Sequence, residues 1–316
     1  MTARRPGGYP GAAITGWGIA LPDKIVTNAD FAARLDTSDD WIVERTGIKE
    51  RRFGGTTRAL AVEAARAALA RSGHEAREID LLVLSTTTPD QAVPAASSAV
   101  HADLGCSGAA FDLNAACAGF VYSLVTALSM LGMGYKRALV IGSDTLSRIT
   151  DQTDRATAVL FADGAGAIVL EARPDRELLL SYDLGLDGSL ASILCCDHGG
   201  YITMEGREVF RRAVRASVES AQKVMADAGV KAADIALYVP HQANLRIIDA
   251  AVQRLGIDAD RTSIVLDHTG NTSSASMAIA LNEAAELGRL KDGDIVLLSG
   301  FGAGMTWASA VLRWGS

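Results

Sequence analysis

The chain has 316 residues, of which 49% are hydrophobic, and its formal net charge at pH 7 is -7. A chain of this length is near the size at which one core stops growing, so we expect one compact unit of two closely packed halves. The acidic balance argues against a nucleic-acid-binding protein, which needs a basic surface to neutralise phosphates. No stretch approaches 18 uninterrupted apolar residues, so no membrane span is expected.

The cysteines point to a reducing compartment and away from a metal site. Cys106, Cys117, Cys195 and Cys196 show neither C-x-x-C spacing nor a paired framework. The first 21 residues make a poor signal peptide, because Gly, Pro and Trp interrupt their apolar run. We therefore expect a cytoplasmic protein without a metal ion or a resident cofactor.

Strands and helices alternate along the first half. A strand over 12–21 precedes a short helix that Ser38 could cap. The continuous apolar run 81–84 is typical of a strand buried on both faces. A helix over 119–131 is apolar almost all round, so it should be buried. The remaining predictions are helices over 58–72 and 94–104 and strands over 109–113, 137–143, 165–171 and 178–182.

The second half repeats this alternation. Helices are predicted over 206–228 and 273–287, with another ending at 255, and strands over 236–239, 263–266, 294–299 and 306–314. Each half contains a strand, a reactive residue, a helix, a strand, a glycine-rich turn and a strand, which indicates an internal repeat. This order predicts an α/β protein with parallel-rich sheets, whose halves share a layer of buried helices.

Cys117 lies where a predicted strand turns into a helix, in the segment NAACAGF at 114–120. The first N–H groups of a helix carry partial positive charge, so a thiolate there should be stabilised and its pKa lowered. The small neighbours would let an acyl group approach. The alternative is a small buried cysteine that only fills space.

Two polar residues of the second half follow predicted strands in the same way, His241 and Asn271. Reaction sites in α/β sheets collect at the carboxyl ends of strands. With Cys117 as the nucleophile, His241 and the Asn271 amide could donate hydrogen bonds to a developing oxyanion. The alternatives are a capping or core histidine and an ordinary turn asparagine after Gly270.

The chain resembles the β-ketoacyl-acyl carrier protein synthase III family of the thiolase superfamily nearly from end to end. The motifs are SDDWIV at 38–43, RTGI at 45–48, NAACAGF at 114–120, PHQANLR at 240–246, GNTS at 270–273 and GAGMTW at 302–307. Asn271 in the third catalytic position resembles the initiating ketosynthases rather than the elongating enzymes or the thiolases. The chalcone synthase-like enzymes share the triad, but their motifs match less well.

The resemblance implies a thiolase-like fold of two similar βαβαβ-type halves packed into layered sheets around buried helices. Residues 1–180 would carry the nucleophile, and residues 181–316 would carry His241 and Asn271. Cys117 would take an acyl group from acyl-CoA. His241 and Asn271 would then hold the thioester carbonyl of malonyl-acyl carrier protein as carbon dioxide leaves, and the enolate would attack the acyl-cysteine to start fatty-acid synthesis. The N–H groups of Cys117 and Ala303 would form the other oxyanion hole.

By the same resemblance the remaining site residues fall into three groups. Coenzyme A would be bound by Trp41, Arg45, Arg155, Asn244 and Phe301, with its adenine between Trp41 and Arg155. The acyl carrier protein would meet Arg211, Gln242, Ala243, Asn244, Leu245, Arg246 and Arg254. The acyl pocket would include Val93, Leu146 and Phe161, with Val93 reaching into the partner of a homodimer. Acetyl-specific relatives often carry a larger residue at the position of Val93. The smaller valine favours acyl-CoA substrates with longer or branched acyl groups.

Three other functions are compatible with parts of this pattern. A starter-unit ketosynthase or an acyltransferase of a polyketide pathway could use the same triad. The intact His241 and Asn271 favour decarboxylative condensation, because simple acyl transfer needs no enolate site. A non-catalytic partner subunit would lack the nucleophile, which is present as Cys117.

Overall fold

The computed structural model describes residues 8–315. Residues 1–7 and 316 lie outside the described part, including the start of the segment judged to be a poor signal peptide. The strands are β1 Ala12–Ala20, β2 Ile25–Thr27, β3 Glu50–Arg52, β4 Leu81–Ser85, β5 Ala109–Leu113, β6 Arg137–Thr145, β7 Asp163–Ala172, β8 Leu179–Leu186, β9 Leu194–Cys195, β10 Thr203–Met204, β11 Ile235–Pro240, β12 Ile295–Gly302 and β13 Thr306–Arg313.

Ten α-helices connect these strands within the described residues. They are α1 Asn28–Ala32, α2 Asp39–Thr46, α3 Thr57–Ser72, α4 Ala96–Leu104, α5 Gly119–Leu131, α6 Arg155–Ala158, α7 Gly206–Ala228, α8 Leu245–Leu255, α9 Leu266–Thr269 and α10 Ala275–Glu286. None of the helices within residues 8–315 combines the length and the hydropathy needed to cross a membrane.

The two main sheets share the arrangement of four strands, and the first sheet has a fifth strand. The first has the order β1-β7-β6-β4-β5, and the second has the order β8-β13-β12-β11. In each, the first three strands pair antiparallel and the next pair is parallel. The internal repeat predicted from the sequence is therefore present in the strand order. The division of the chain at residue 180 stays a prediction.

Helices α5 and α10 lie between the two sheets. The largest apolar cluster joins their side chains to inward-facing residues of both sheets, such as Val140 and Leu298. Helices α3 and α4 cover the outer face of the first sheet, and α7 and α8 cover the outer face of the second. Helix α5 is buried along most of its length, as its nearly all-apolar sequence predicts.

The predicted strand over 263–266 is wrong. Only an isolated bridge joins Tyr238 to Thr262, and the chain then turns into α9. The buried Gln242 side chain explains the difference, because its Oε1 accepts from the N–H groups of Val265 and Leu266 at 2.9 and 3.3 Å. These donors are therefore satisfied without a neighbouring strand. Asn271 consequently follows a short helix and not a strand.

Candidate active site

Cys117 opens into a cavity of about 940 Å³. The cavity is also lined by Leu146, Phe161, Ser273 and Ala303. Three of the residues proposed from the family resemblance, two for the acyl pocket and one for the oxyanion hole, therefore share one space with the thiol.

The backbone around Cys117 is held in a strained and crowded turn. Cys117 lies in a 3₁₀ turn, Ala116–Ala118, that leads directly into α5. Ala116 has a left-handed φ of 47°, which non-glycine residues rarely adopt. A Cβ on Gly302, at the end of β12, would lie only 2.6 Å from the Cys117 backbone nitrogen. Strand β12 therefore presses directly on the turn that holds the nucleophile.

The expected lowering of the Cys117 pKa is wrong for this structure. Burial raises the pKa of the thiol to about 12, and the negative charge of Asp144 acts in the same direction. A hydrogen bond from the Ser273 side chain opposes this effect but is the smaller cause. Burial is the largest cause, because it penalises the charged form. Cys117 is therefore a neutral thiol at pH 7.

His241 is buried directly after β11, where its ring orientation is fixed. Its Nδ1 lies 2.7 Å from Ser276 Oγ on α10, and its ring packs edge-on against Phe301 with the centroids 5.2 Å apart. The Gln242 N–H donates to the same Oγ at 3.4 Å. We therefore assign the Ser276 hydroxyl as the donor and His241 Nδ1 as the acceptor of the bond between them. Burial lowers the pKa of His241 to about 3, so the ring is neutral. This assignment leaves an N–H on Nε2.

Asn271 is fixed on both sides by backbone contacts. Its N–H donates to Leu160 O at 3.0 Å, and its carbonyl accepts from Ala162 N at 2.9 Å. Its Oδ1 accepts from Ser273 N at 2.9 Å. Asn271 is buried, and within residues 8–315 its amide nitrogen donates no hydrogen bond. This N–H is therefore a donor without a partner among the described residues.

The structure links Cys117 to Asn271 through one side chain, whereas neither Asn271 nor His241 lines the cavity into which Cys117 opens. Ser273 joins Cys117 to Asn271, and Phe301 joins His241 to Gly302, which presses on Cys117. Sequence reasoning missed the supporting serines at 273 and 276. Ser273 also has a left-handed φ, 52°. The hydroxyl-rich segment TSSAS at 272–276 was the available signal, since short hydroxyl side chains bond readily to nearby groups.

One side chain connects the two turns that carry the proposed oxyanion donors, the N–H groups of Cys117 and Ala303. The Thr306 hydroxyl reaches Ala115 O at 3.1 Å and Ala303 O at 3.2 Å. This side chain therefore links the turn before Cys117 to the turn after β12. The side chain of Ala303 leaves its backbone N–H unchanged as a donor.

Trp41 lies between basic side chains near the start of α2. Its ring centroid is 4.6 Å from the Arg45 guanidinium carbon and 4.8 Å from that of Arg155. A base stacked between Trp41 and Arg155 would need them roughly 7 Å apart. The predicted sandwich therefore requires Arg155 to move away, breaking its 2.7 Å hydrogen bond to Asp36 O.

Asn244 connects the two helices at this end of the molecule. Its side chain accepts from Arg246 N at 2.9 Å, which caps α8, and donates to Arg45 O at 2.8 Å. Leu245 packs against Gly47, the left-handed residue that ends α2. The amide of Asn244 thus holds α8 against α2.

Two of the predicted carrier-protein contacts, Gln242 and Ala243, are buried in the structure. Gln242 is fully buried, and Nε2 donates to Pro240 O and Ser263 O while Oε1 accepts from the two N–H groups before α9. Ala243 is buried in the outer core of the second sheet. Gln242 therefore has no exposed surface for a partner protein, whereas Ala243 keeps 9% of its surface.

The arginines of the same prediction are exposed. Arg246 and Arg254 lie on α8, and Arg246 is 5.7 Å from the Phe210 ring. Arg211 on α7 forms an ion pair with Glu208 at 2.7 Å, which partly neutralises it. These side chains form a basic surface on neighbouring helices.

Val93 does not line the cavity of its own chain. It is 83% exposed, in the loop before α4. The predicted preference for larger starters therefore stays a prediction. Within residues 8–315, no cluster of three or more His, Cys, Asp or Glu side chains has the geometry to hold a metal ion.

Comparison with known proteins identifies relatives over almost the whole chain. The family model of 3-oxoacyl-[acyl-carrier-protein (ACP)] synthase III matches residues 111–188, and the model of its C-terminal part matches residues 225–314. The β-ketoacyl-[acyl-carrier-protein] synthase III of Roseiflexus castenholzii is 47% identical, covering 96% of this chain and 98% of that protein.

Solved structures give the same result. The 3-oxoacyl-[acyl-carrier-protein] synthase III of Aquifex aeolicus is similar with a TM-score of 0.94 and 42% identity, covering 96% of this chain and all of that chain. A priming β-ketosynthase of a polyketide pathway is similar with a TM-score of 0.93 and 35% identity, covering 98% of this chain and 97% of that chain. The predicted thiolase-like layered fold is confirmed. The protein is an acyltransferase of the fatty-acid biosynthesis type, and the chain belongs to the β-ketoacyl-[acyl-carrier-protein] synthase III family.

Proposed function

We propose that this protein acylates Cys117 from an acyl-CoA and then condenses that acyl group with malonyl-acyl carrier protein. The observation that carries the proposal is the set of contacts around the thiol, together with the N–H donors that we assign to His241 Nε2 and the Asn271 amide. Relatives named as β-ketoacyl-[acyl-carrier-protein] synthase III support the choice of substrates.

In the first half-reaction, the Cys117 sulfur attacks the acyl-CoA thioester and coenzyme A leaves with the thiol proton. The negative charge that develops on the thioester oxygen meets the backbone N–H groups of Cys117 and Ala303. Such fixed donors lower the barrier because they need no reorganisation, and removing one typically costs about 2.7–4 kcal/mol. Because the free thiol is neutral, the proton must leave during the attack.

In the second half-reaction, the malonyl thioester carbonyl accepts hydrogen bonds from His241 Nε2 and the Asn271 amide. Carbon dioxide leaves, and the electron pair of the broken bond forms an enolate whose oxygen these donors stabilise. Neutral donors suit this role, because the low pKa of His241 keeps an uncharged imidazole N–H in place. The enolate carbon attacks acyl-Cys117, which forms the β-ketoacyl-acyl carrier protein and expels the Cys117 sulfur as a thiolate. A proton taken up from water then restores the thiol.

We place coenzyme A at Trp41, Arg45 and Arg155 and the carrier protein at Arg211, Arg246 and Arg254. The aromatic ring beside two guanidinium groups suits a nucleotide base and its phosphates. The basic surface of α7 and α8 suits an acidic carrier. Charges of this kind act mainly on association, so the KM for the carrier should rise with salt.

We also propose a homodimer that forms through β5. This strand ends the first sheet with one unpaired edge, and an unpaired edge is a template for pairing with another chain. The exposed Val93 lies in the loop of the same region and would be covered by the partner. Light scattering of the native chain and of a β5 variant such as Phe111→Asp tests this assembly. The cytoplasmic location stays a prediction.

Intact-protein mass spectrometry with a panel of acyl-CoAs tests the reaction, with Cys117→Ala as the control. An adduct absent from the variant and consumed by malonyl-acyl carrier protein with release of carbon dioxide would support condensation. An adduct that malonyl-acyl carrier protein does not consume would favour the polyketide-type acyltransferase instead. If no acyl-CoA in a broad panel marks Cys117, the proposed reaction is wrong.

A further inference from the structure

Arg51 in β3 carries a charge into the interior beside the proposed site. It is the largest fully buried side chain among the described residues. Its Nε donates to Val159 O at 2.9 Å, a second guanidinium nitrogen donates to the same oxygen, and a third donates to Asn28 Oδ1 at 2.5 Å. Burial lowers its pKa to about 9, so it remains charged at pH 7. A buried charge is costly, and here no carboxylate bonds to it directly.

On one side Arg51 supports the segment that holds Asn271. Val159 leads into residues 160–162, which form the two backbone hydrogen bonds to Asn271. Gly270 is clamped at the same place, because a Cβ on it would lie 2.9 Å from both Arg51 Cγ and Ala162 Cβ. The guanidinium and its stem thus hold both chain segments that meet at Asn271.

On the other side Arg51 reaches the helix proposed to bind coenzyme A. Asn28 accepts from Arg51 and donates to Asp39 Oδ1 at 2.7 Å and to Ile48 O at 2.9 Å. Asp39 is the first residue of α2, which carries Trp41 two residues later. One hydrogen-bonded network therefore runs from the start of α2 to Asn271.

We propose that Arg51 is a positioning residue for the condensation half-reaction, because it fixes Asn271 through Val159 and Gly270. The inference rests on the proposed function. Arg51 touches neither Cys117 nor the turn at Ala303, which are held by Gly302 and Thr306 instead. A shift of α2 would weaken acyl-CoA binding only. Loss of the guanidinium should therefore impair decarboxylation of malonyl-acyl carrier protein far more than acylation of Cys117 at saturating acyl-CoA.

The test compares Arg51→Met and Arg51→Lys with Arg52→Met in the full chain. Arg52 is the matched control, because it lies on the same strand, is half-buried and pairs only with Glu50 among the described ion pairs. Each variant is measured for its thermal midpoint, its single-turnover acylation of Cys117 and its release of carbon dioxide from malonyl-acyl carrier protein. Comparing the rates of the two half-reactions distinguishes a positioning defect from a general loss of folded protein.

We expect Arg51→Met to slow decarboxylation by about tenfold to a hundredfold, since a misplaced group far from the bond change can cost that much. Acylation should stay within about threefold of the wild-type rate. If Arg51→Met does not fold, Arg51→Lys decides, because its ammonium group lacks the planar fork and should show the same split more weakly.

Equal losses in both half-reactions, or no loss in either, would overturn the role of Arg51. So would the same split in Arg52→Met. Failure of the proposed function is separate from these outcomes, because it would appear in the wild-type protein as missing acylation or missing decarboxylation.

Discussion

Gly302→Ala tests the oxyanion hole proposed for Cys117. The new Cβ would lie 2.6 Å from the Cys117 nitrogen and 2.9 Å from the Ala116 Cβ. The turn would have to retreat by about 0.8 Å to reach ordinary contact at 3.4 Å. Overpacking of this kind costs about 1–3 kcal/mol of stability. Displacing a catalytic group by about 1 Å can cost roughly a hundredfold in rate, so we expect acylation of Cys117 to fall by about that factor.

The assay is single-turnover acylation by acyl-CoA, followed by intact mass. Alkylation of Cys117 by iodoacetamide is measured in parallel, because that displacement creates no oxyanion and should change little. Gly188→Ala is the control variant, since a Cβ there meets nothing within 4 Å. A folded Gly302→Ala protein that acylates within about threefold of wild type would refute the assignment of the Cys117 N–H as an oxyanion donor.

Three further predictions follow from named contacts. Ser276→Ala should slow decarboxylation about fivefold, because His241 loses a donor worth about 1 kcal/mol and its tautomer is no longer fixed. Ser276→Thr keeps the hydroxyl and should retain most activity. Trp41→Ala should raise the KM for acyl-CoA roughly tenfold with kcat nearly unchanged, as lost stacking does in both ground and transition states. Hydrogen bonds to Glu283 and Asp267 raise the pKa of His268 to about 9. The contribution of His268 to stability is therefore complete below its unfolded pKa and is lost as the pH rises through about 9. The urea midpoints of wild type and His268→Gln should differ at pH 6 and converge at pH 10.

The sequence predicted most of the elements that repeat in both halves. Helices over 119–131 and 206–228 match the structure at both ends, because their apolar patterns are long and unambiguous. The sequence also singled out Cys117, His241 and Asn271, since chemically reactive side chains stand out where apolar segments end; their catalytic roles stay a prediction. These are local signals, readable from a few consecutive residues.

The errors come from contacts between distant segments. Residues 263–266 are apolar enough for a strand, but the Gln242 side chain takes two of the N–H groups at the end of that segment. The same burial removes Gln242 from any carrier-protein surface. The pKa of Cys117 depends on how deeply the turn is buried and on Asp144, 27 positions along the chain. Hydrophobic periodicity contains none of this information.

The internal repeat explains why the nucleophile and its supporting groups meet. Cys117 precedes α5, and Ser273 precedes α10, which are equivalent central helices of the two halves. A Cβ on Gly119 would lie 3.6 Å from the Ser274 Cβ, so the two helices begin side by side. Each start also carries a non-glycine residue with left-handed φ, Ala116 or Ser273. Strain of this kind persists only where surrounding structure enforces it. Packing the two repeats against each other therefore both creates the site and holds its strained turns in place.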